Sequence, residues 1–350
     1  MTNIAMIGFG GVGQALVEIL EEKAENLHER YGLETKIVAV SDLMKGSVYQ
    51  EKGLDVQQLL ECIRKDGSVE NYPEQPGVIK GLSSIETIET TNADVIVEVT
   101  FTDVNTGEPA ITHCRKAFAG KKSVITTNKG PVALAYNELK EMARDHGVFF
   151  GFEGTVMSGT PALRMPEETL AGNDINRISG ILNGTTNYIL TEMEKGKTYD
   201  ESLEQAKANG YAEADPTNDV EGYDARYKVS ILSNYLMNQP LDYKDIECKG
   251  ITEMRMEDVE NAMANGEKWR LIGKVERNGD GSVTGSVAPE KIKEDHPLAG
   301  VSGATNAILY ECDLLGPVLL TGAGAGRKET GFSLLIDLIH YHKERKPEKL

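Results

Sequence analysis

Residues 210–228 read GYAEADPTNDVEGYDARYK, an acidic, glycine-punctuated run that ends in a lysine. Glu213, Asp215, Asp219 and Asp224 set four carboxylates within twelve residues. Lys228 follows Asp224 by four positions, the spacing that brings two side chains onto one helix face. A carboxylate beside an ammonium is suited to holding an amino acid and to moving a proton. Ile231, Leu232 and Tyr235 fall three, four and seven positions beyond Lys228, so the lysine shares the apolar stripe that faces protein rather than water. Two readings of the pair follow. It is either a catalytic ammonium oriented by Asp224, or an ordinary surface ion pair worth roughly 0.2–1 kcal/mol, with the other acids forming a solvated face or a loose cation loop.

The elements that must position this cluster begin with a nucleotide site. Asn3 to Ile7 is a short apolar strand, and Gly8, Gly10 and Gly13 then spell GxGxxG. From Gln14 to Arg30 the pattern is helical, with Ala15, Leu16, Ile19 and Leu20 on one face. A pyrophosphate needs this arrangement, because glycines allow a tight turn and close backbone approach while the helix start offers free N–H groups and a positive dipole. Gly8, Phe9, Gly10, Val12 and Gly13 are therefore the expected cofactor-binding turn. A second strand, Lys36 to Val40, runs into Ser41 and Asp42. Asp42 either accepts hydrogen bonds from the adenosine ribose or serves as a turn residue. Leu43 follows it where a 2′-phosphate would call for Arg, so NAD is favoured over NADP, although Lys45 and Lys52 lie nearby in sequence.

Asp94 to Val99 and Ser123 to Thr127 read as further buried strands, separated by a helical pattern over Ala110 to Ala119. Ligands bind at the carboxyl ends of such strands. Those ends carry Thr100, Phe101 and Thr102, then Asn128, Lys129, Gly130 and Pro131. Thr100 and Phe101 are thus cofactor candidates. Lys129 is either plain loop surface or, beside a nicotinamide, a second candidate acid or electrostatic clamp.

In the second half, Val148 to Phe152 reads as a strand leading into EGTVMSGTP, Glu153 to Pro161, whose small residues let backbone carbonyls turn toward a cofactor or an ion. Ile178 to Leu182 reads as a strand leading into NGTTNYIL. Its opening residues Asn183, Gly184 and Thr185 are candidates to receive a substrate carboxylate at a helix start, or Thr185 and Thr186 simply cap that helix. Arg270 to Val287 reads as two strands around an Asn278-Gly279-Asp280-Gly281 turn. TGAGAG, Thr321 to Gly326, precedes an apolar helix over Phe332 to Ile339 and reads as the chain's return to its first half. The expected fold is α/β. A Rossmann-type doubly wound parallel sheet over 1–150 carries the dinucleotide. A second α/β domain over 151–305 serves substrate binding and dimerisation, and 306–350 returns to the first domain.

At 350 residues the chain is long enough for two domains with substantial cores. Lys and Arg number 37 against 55 Asp and Glu, a formal charge of −18, which disfavours nucleic-acid or anionic-membrane binding and favours a small-molecule substrate. The four cysteines, Cys62, Cys114, Cys248 and Cys312, show no CxxC spacing, which suits a reducing compartment and gives no zinc site. The first strand starts almost at Met1 and no apolar run approaches the roughly 20 residues of a membrane span, so the expected compartment is the cytoplasm. The final HKERKPEKL reads as a charged tail.

GFGGVG at 8–13, TTNKGP at 126–131, GILNGTTNYIL at 180–190, the 210–228 block, HPLAGVSGATNA at 296–307 and TGAGAG at 321–326 together resemble homoserine dehydrogenase over nearly the whole chain. The resemblance implies interconversion of L-homoserine and L-aspartate 4-semialdehyde with NAD(H) or NADP(H), in a homodimer or higher homo-oligomer. By motif position it implies that Glu213, Asp219 and Asp224 contact substrate, that Lys228 donates the proton to the aldehyde oxygen, and that Lys129 lies beside substrate and nicotinamide. It implies a cofactor lining of Thr100 with Gly322, Gly324 and Gly326. It also implies a sodium site of Glu153 with the carbonyls of Val156, Ser158 and Thr160, where Met157 and Ser158 stand in place of the family's smaller residues. The sequence ends soon after the return helix, which implies the short form without a C-terminal ACT domain.

Overall fold

The computed structural model describes residues 1–103 and 105–345. The chain divides into two compact units, one of Met1–Thr155 with Gly326–Leu350 and one of Val156–Ala325.

In the first unit the chain runs β1 (Thr2–Ile7), α1 (Gly11–Glu22), α2 (Ala24–Tyr31), β2 (Thr35–Asp42), β3 (Gly46–Gln50), α3 (Val56–Asp66), β4 (Val78–Lys80) and α4 (Ser84–Thr90). It continues through β5 (Val95–Glu98), α5 (Ala110–Ala119), β6 (Ser123–Thr126), α6 (Lys129–Leu134), α7 (Tyr136–His146) and β7 (Phe150–Gly151). The sheet order is β4-β3-β2-β1-β5-β6-β7. β1 pairs in parallel with both β2 and β5, so the strand order reverses at β1 and leaves a crevice beyond its carboxyl end. Period-two alternation feeds both layers: Ile4 and Met6 enter one core with Leu16, Leu20 and Leu59, while Ala5 and Ile7 enter the other with Ile88, Phe118 and Leu139. The doubly wound sheet is as expected, with two local differences. The helix expected over Gln14 to Arg30 breaks at Lys23, because α1 buries a full apolar face whereas α2 buries only Leu27. β3 and β4 add an antiparallel edge whose short, mixed sequences gave no strand signal.

A short helix, α8 (Gly154–Met157), leads into the second unit, which runs α9 (Arg164–Thr169), β8 (Ile175–Ile181), α10 (Gly184–Met193), α11 (Tyr199–Ala208), α12 (Thr217–Val220) and α13 (Tyr223–Leu236). Then come β9 (Glu247–Cys248), α14 (Met256–Ala264), β10 (Glu267–Arg277), β11 (Val283–Lys293), β12 (Thr305–Cys312) and β13 (Gly316–Ala323). The sheet order is β13-β12-β8-β10-β11-β9, antiparallel except between β11 and β9. The expected hairpin is present and longer than its turn suggested, pairing Glu267 with Lys293 at its open end.

The expected return at 306 is corrected. Residues 305–323 belong to the second sheet, where β12 pairs with β8 on one side and β13 on the other. Only the final helix, α15 (Arg327–Arg345), rejoins the first unit. There Gly331 packs on α1, since a Cβ on it would lie 2.9 Å from the Ala15 Cβ. The tail read from the last residues falls partly within α15, and its remainder lies outside the described residues. Among the described residues no helix is long and apolar enough to cross a membrane.

Candidate active site

In the second unit, β8 ends at Ile181 and delivers Leu182 and Asn183 to the start of α10. Asn183, not Thr185 or Thr186, is the N-cap: its Oδ1 accepts the Thr186 N–H at 3.0 Å. That cap leaves the Asn183 amide free to point the other way. Its Nδ2 donates to Asp219 Oδ1 at 2.7 Å and to Asp224 Oδ2 at 3.1 Å. Thr185 Oγ1 lies 2.6 Å from the Tyr211 carbonyl and 3.1 Å from Asp219 Oδ2.

Gly222, at φ 80°, turns the chain from α12 into α13, where Asp224 occupies the first turn, the favourable end of the helix dipole for an anion. One turn on, Lys228 Nζ donates to Asp224 Oδ2 at 2.7 Å and to the Leu182 carbonyl at 2.6 Å. Lys228 is only 5% exposed, so the surface-pair reading is set aside. A partner-bonded ammonium held out of water is costly to build and presents a directed proton. Burial, and then the charge of Asp224, push the half-buried Asp219 carboxyl above its ordinary range. Gly184 sits at the helix start, where an added Cβ would lie 2.6 Å from the Ala304 carbonyl. Glu213 is exposed on the same acidic segment and is joined to this cluster by no hydrogen bond.

In the first unit the glycines have separable reasons. Gly8 has φ +92°, and a Cβ there would lie 2.6 Å from the Val99 carbonyl; one on Gly13 would lie 3.0 Å from the Gly8 carbonyl. Both are demanded by the turn. At Gly10 a Cβ would meet nothing within 4 Å, so that glycine opens room for a ligand. Gly10 is also the N-cap of α1 and has no side chain to cap the first helical N–H groups, the arrangement that an anion site requires. The cradle therefore fits a dinucleotide. Phe9 buries its ring in the core and Val12 is half-buried, so the backbone of this turn is what faces a ligand.

Asp42 is engaged by the protein's own main chain. Its Oδ2 accepts the Phe9 N–H at 2.7 Å and its Oδ1 accepts the N–H groups of Met44 and Lys45 at 2.9 and 3.0 Å. The acid clasps the glycine turn to the end of β2. Leu43 beside it is 99% exposed and Phe101 92% exposed, while Thr100 is half-buried.

Glu98 is the residue that the sequence reading missed. The last residue of β5, it is completely buried and receives Thr100 Oγ1 at 2.5 Å together with Asn128 Nδ2. Its signal was an acid inside the otherwise apolar run VIVEV, residues 95–99. Asn128 in turn is the N-cap of α6, whose first residue is the half-buried Lys129.

The remaining candidates lie in glycine-rich stretches. A Cβ on Gly322 would lie 2.2 Å from Thr160 Oγ1, on Gly324 2.0 Å from Asn306 Nδ2, and on Gly326, at φ +137°, 2.1 Å from Glu329 Oε2. Packing within the protein thus accounts for Gly322 and Gly324, and the backbone conformation for Gly326, while Gly322 lies within β13 rather than in a loop. Of the residues expected to hold sodium, Glu153 belongs to the first unit, and Val156, Ser158 and Thr160 belong to the second. Ser158 adopts φ 52°, Thr160 Oγ1 donates to the Ala323 carbonyl at 2.9 Å, and the Thr160 carbonyl accepts the Ala162 N–H at 2.7 Å. The Thr160 hydroxyl is thereby committed, and its carbonyl keeps one lone pair. Among the described residues no group of three or more His, Cys, Asp or Glu could hold a metal ion.

Residues 161–339 match the family model of homoserine dehydrogenase, and residues 1–119 match that of the glutamate/leucine/phenylalanine/valine dehydrogenases. The chain is 46% identical to the NAD(+)-dependent homoserine dehydrogenase of Pseudomonas canavaninivorans, covering 97% of this chain and 96% of the relative. It is 42% identical to the homoserine dehydrogenase of Methanocaldococcus jannaschii, covering 98% and 99%. A solved hyperthermophilic archaeal homoserine dehydrogenase in complex with NADPH superposes with a TM-score of 0.83 at 31% identity, covering 98% of each chain. With the dinucleotide cradle and the carboxylate-lysine cluster both in place, this chain belongs to the homoserine dehydrogenase family of NAD(P)-dependent oxidoreductases.

Proposed function

We propose that this chain interconverts L-homoserine and L-aspartate 4-semialdehyde, with Asn183, Thr185, Asp219, Asp224 and Lys228 as the substrate cluster. The observation that carries the reading is the buried Lys228 ammonium, bonded at once to Asp224 and to the Leu182 carbonyl. Asp219 and Asp224 receive the substrate ammonium, and the start of α10 at Gly184 receives its carboxylate. In the direction of reduction, Lys228 gives its proton to the aldehyde oxygen as negative charge gathers there, a contribution of roughly 10²–10⁴-fold for a positioned acid. In oxidation the neutral amine takes the hydroxyl proton back. The bound nicotinamide supplies or accepts the hydride. Lys129 is the second candidate donor, and Glu213, exposed on the acidic segment, is a substrate contact only if that segment reorganises around the ligand.

NAD is the preferred cofactor in this reading. The carboxylate of Asp42 and the exposed Leu43 stand where a 2′-phosphate would need a guanidinium. The protein acts as a homodimer through the edge of the second sheet, where β13 and its preceding turn carry the exposed Leu314, Leu315 and Leu319. Light scattering of the purified protein checks the dimer. Incubating it with NAD or NADP and a panel of hydroxy amino acids, while following reduced-nicotinamide absorbance, checks the reaction. Homoserine is expected to be the best substrate. Turnover of a different hydroxy acid, with none of homoserine, would leave only a related reductase on the same scaffold.

A further inference from the structure

Glu98 stands in a place where folding alone has no use for an acid. Its strand neighbours Val95, Ile96 and Val97 are completely buried, as is Glu98 itself. A carboxylate taken out of water costs several kcal/mol unless hydrogen bonds replace its hydration. Here the replacement is complete and directional. Oε1 accepts from Thr100 Oγ1 at 2.5 Å, from the Thr100 N–H at 3.3 Å and from His113 Nδ1 at 3.2 Å. Oε2 accepts from Asn128 Nδ2 and lies 3.3 Å from Thr126 Oγ1, which donates at 2.8 Å to the Glu98 carbonyl. His113 Nε2 lies 2.9 Å from Ser84 Oγ. The ring is thus held at both ends, by Glu98 and by Ser84.

The geometry points to Glu98 as a positioning residue for catalysis: one carboxylate locks Thr100, at the carboxyl end of β5, and Asn128, immediately before Lys129, at the carboxyl end of β6. This inference rests on the function proposed above. Because Asn128 gives its N–H₂ to Glu98, its amide oxygen must face the opposite way, and that orientation is the quantity Glu98 sets. The Asn128 backbone N–H, bonded to Thr126 Oγ1 at 3.0 Å, fixes the same turn from the main chain.

Glu98→Gln is close to isosteric, yet it brings an N–H₂ against donors. The cheapest relief is for Asn128 to flip and present the wrong group. The variant is expected to keep a thermal midpoint near wild type, to lose about tenfold in kcat and to bind NADH about fivefold more weakly by fluorescence titration. The double variant E98Q/N128D restores a donor facing an acceptor at that contact and an acceptor on the far side, so most of the lost kcat should return. Asn128→Ala removes the far end while leaving Glu98 its other donors, and is expected to lower kcat by a similar factor even if E98Q folds poorly. The inference is overturned if E98Q keeps both kcat and NADH affinity within twofold of wild type. It is equally overturned if N128A turns over as wild type does, or if activity falls only in step with the folded fraction. Wild-type protein that ignores homoserine would sink the proposed reaction, while the NADH titrations of wild type and E98Q would still decide the role of Glu98.

Discussion

The dinucleotide cradle and the carboxylate-lysine cluster are built on opposite principles. The cradle is made of backbone: Gly8 and Gly13 are required because neighbouring main chain sits where their side chains would be, and the donors proposed to face the ligand are N–H groups at the start of α1. The cluster is made of side chains, held by Asn183 bonds that reach 36 and 41 positions along the chain to Asp219 and Asp224. A backbone site tolerates almost any side chain between its glycines. A side-chain site tolerates almost no change at its few members, and mutation should separate the two.

The largest effect is expected at Lys228. Lys228→Met keeps the aliphatic stem and removes the charge, so kcat should fall by about 10²-fold or more if this ammonium moves the proton. Because the pair is buried, the change also costs stability, on the order of 1–3 kcal/mol for the carbonyl and carboxylate left with fewer donors. Rates must therefore be normalised to folded protein measured by near-UV dichroism. Normalised turnover within about threefold of wild type would transfer the role to Lys129, where the same measurement on Lys129→Ala decides it.

Next comes the cradle. In Gly8→Ala the new Cβ would lie 2.6 Å from a main-chain oxygen that cannot swing away, at a φ of +92° that alanine avoids. NADH affinity should drop about tenfold and the unfolding free energy by roughly 1–3 kcal/mol. Gly10→Ala offers the contrast. Its Cβ enters open space, so stability should hold while NADH binding weakens. Equal stability losses in the two variants would erase the distinction between a turn glycine and a ligand glycine.

How much of each site the sequence disclosed follows from the same contrast. The cradle was legible because its determinants are local: glycine spacing, a preceding apolar strand and a following amphipathic helix all fall within Thr2–Glu22. The Asp224–Lys228 pair was legible for the same reason, being one helix turn apart. Asn183 as the hub joining Asp219 to Asp224 was not, since nothing local indicates which remote acids a capping amide will reach. Glu98 was hidden by its surroundings, because an apolar run reads as core and the donors that justify its acid arrive from α5 and from the turn between β6 and α6. The placement of β12 and β13 was missed because TGAGAG suggests a loop, whereas pairing of β12 with the remote β8, and of β13 with β12, decides it.

A smaller effect is expected at Leu43. The residue is fully accessible, so Leu43→Arg should leave the fold and the Asp42 clasp on Phe9 intact. A guanidinium there can pair with a 2′-phosphate, and the ratio of kcat/KM for NADP over NAD should rise several-fold, on the order of 1 kcal/mol of added discrimination. Wild-type protein that uses NADP alone would defeat the NAD preference at once.

The smallest effect concerns Asp219 and is read in stability. Burial and the neighbouring Asp224 raise its folded pKa above the ordinary 3.8, so as pH climbs from that value the unfolded chain loses this proton first. The folded state then binds more protons than the unfolded one, and the stability Asp219 contributes, fully present below its unfolded pKa, is lost as pH rises through the raised value. Asp219→Asn removes that loss. The substitution is sterically mild, since the new amide oxygen can accept from Asn183 and the new N–H₂ can donate to Thr185 Oγ1, whose own proton already faces the Tyr211 carbonyl. Denaturant unfolding should show D219N more stable than wild type at pH 7, with the gap closing below about pH 4. Homoserine binding should weaken at the same time, because one of the carboxylates proposed to face the substrate ammonium is gone. A gap that stays constant from pH 7 down to pH 3 would show that Asp219 titrates normally and that its neighbours, not its charge, set the cost of its burial.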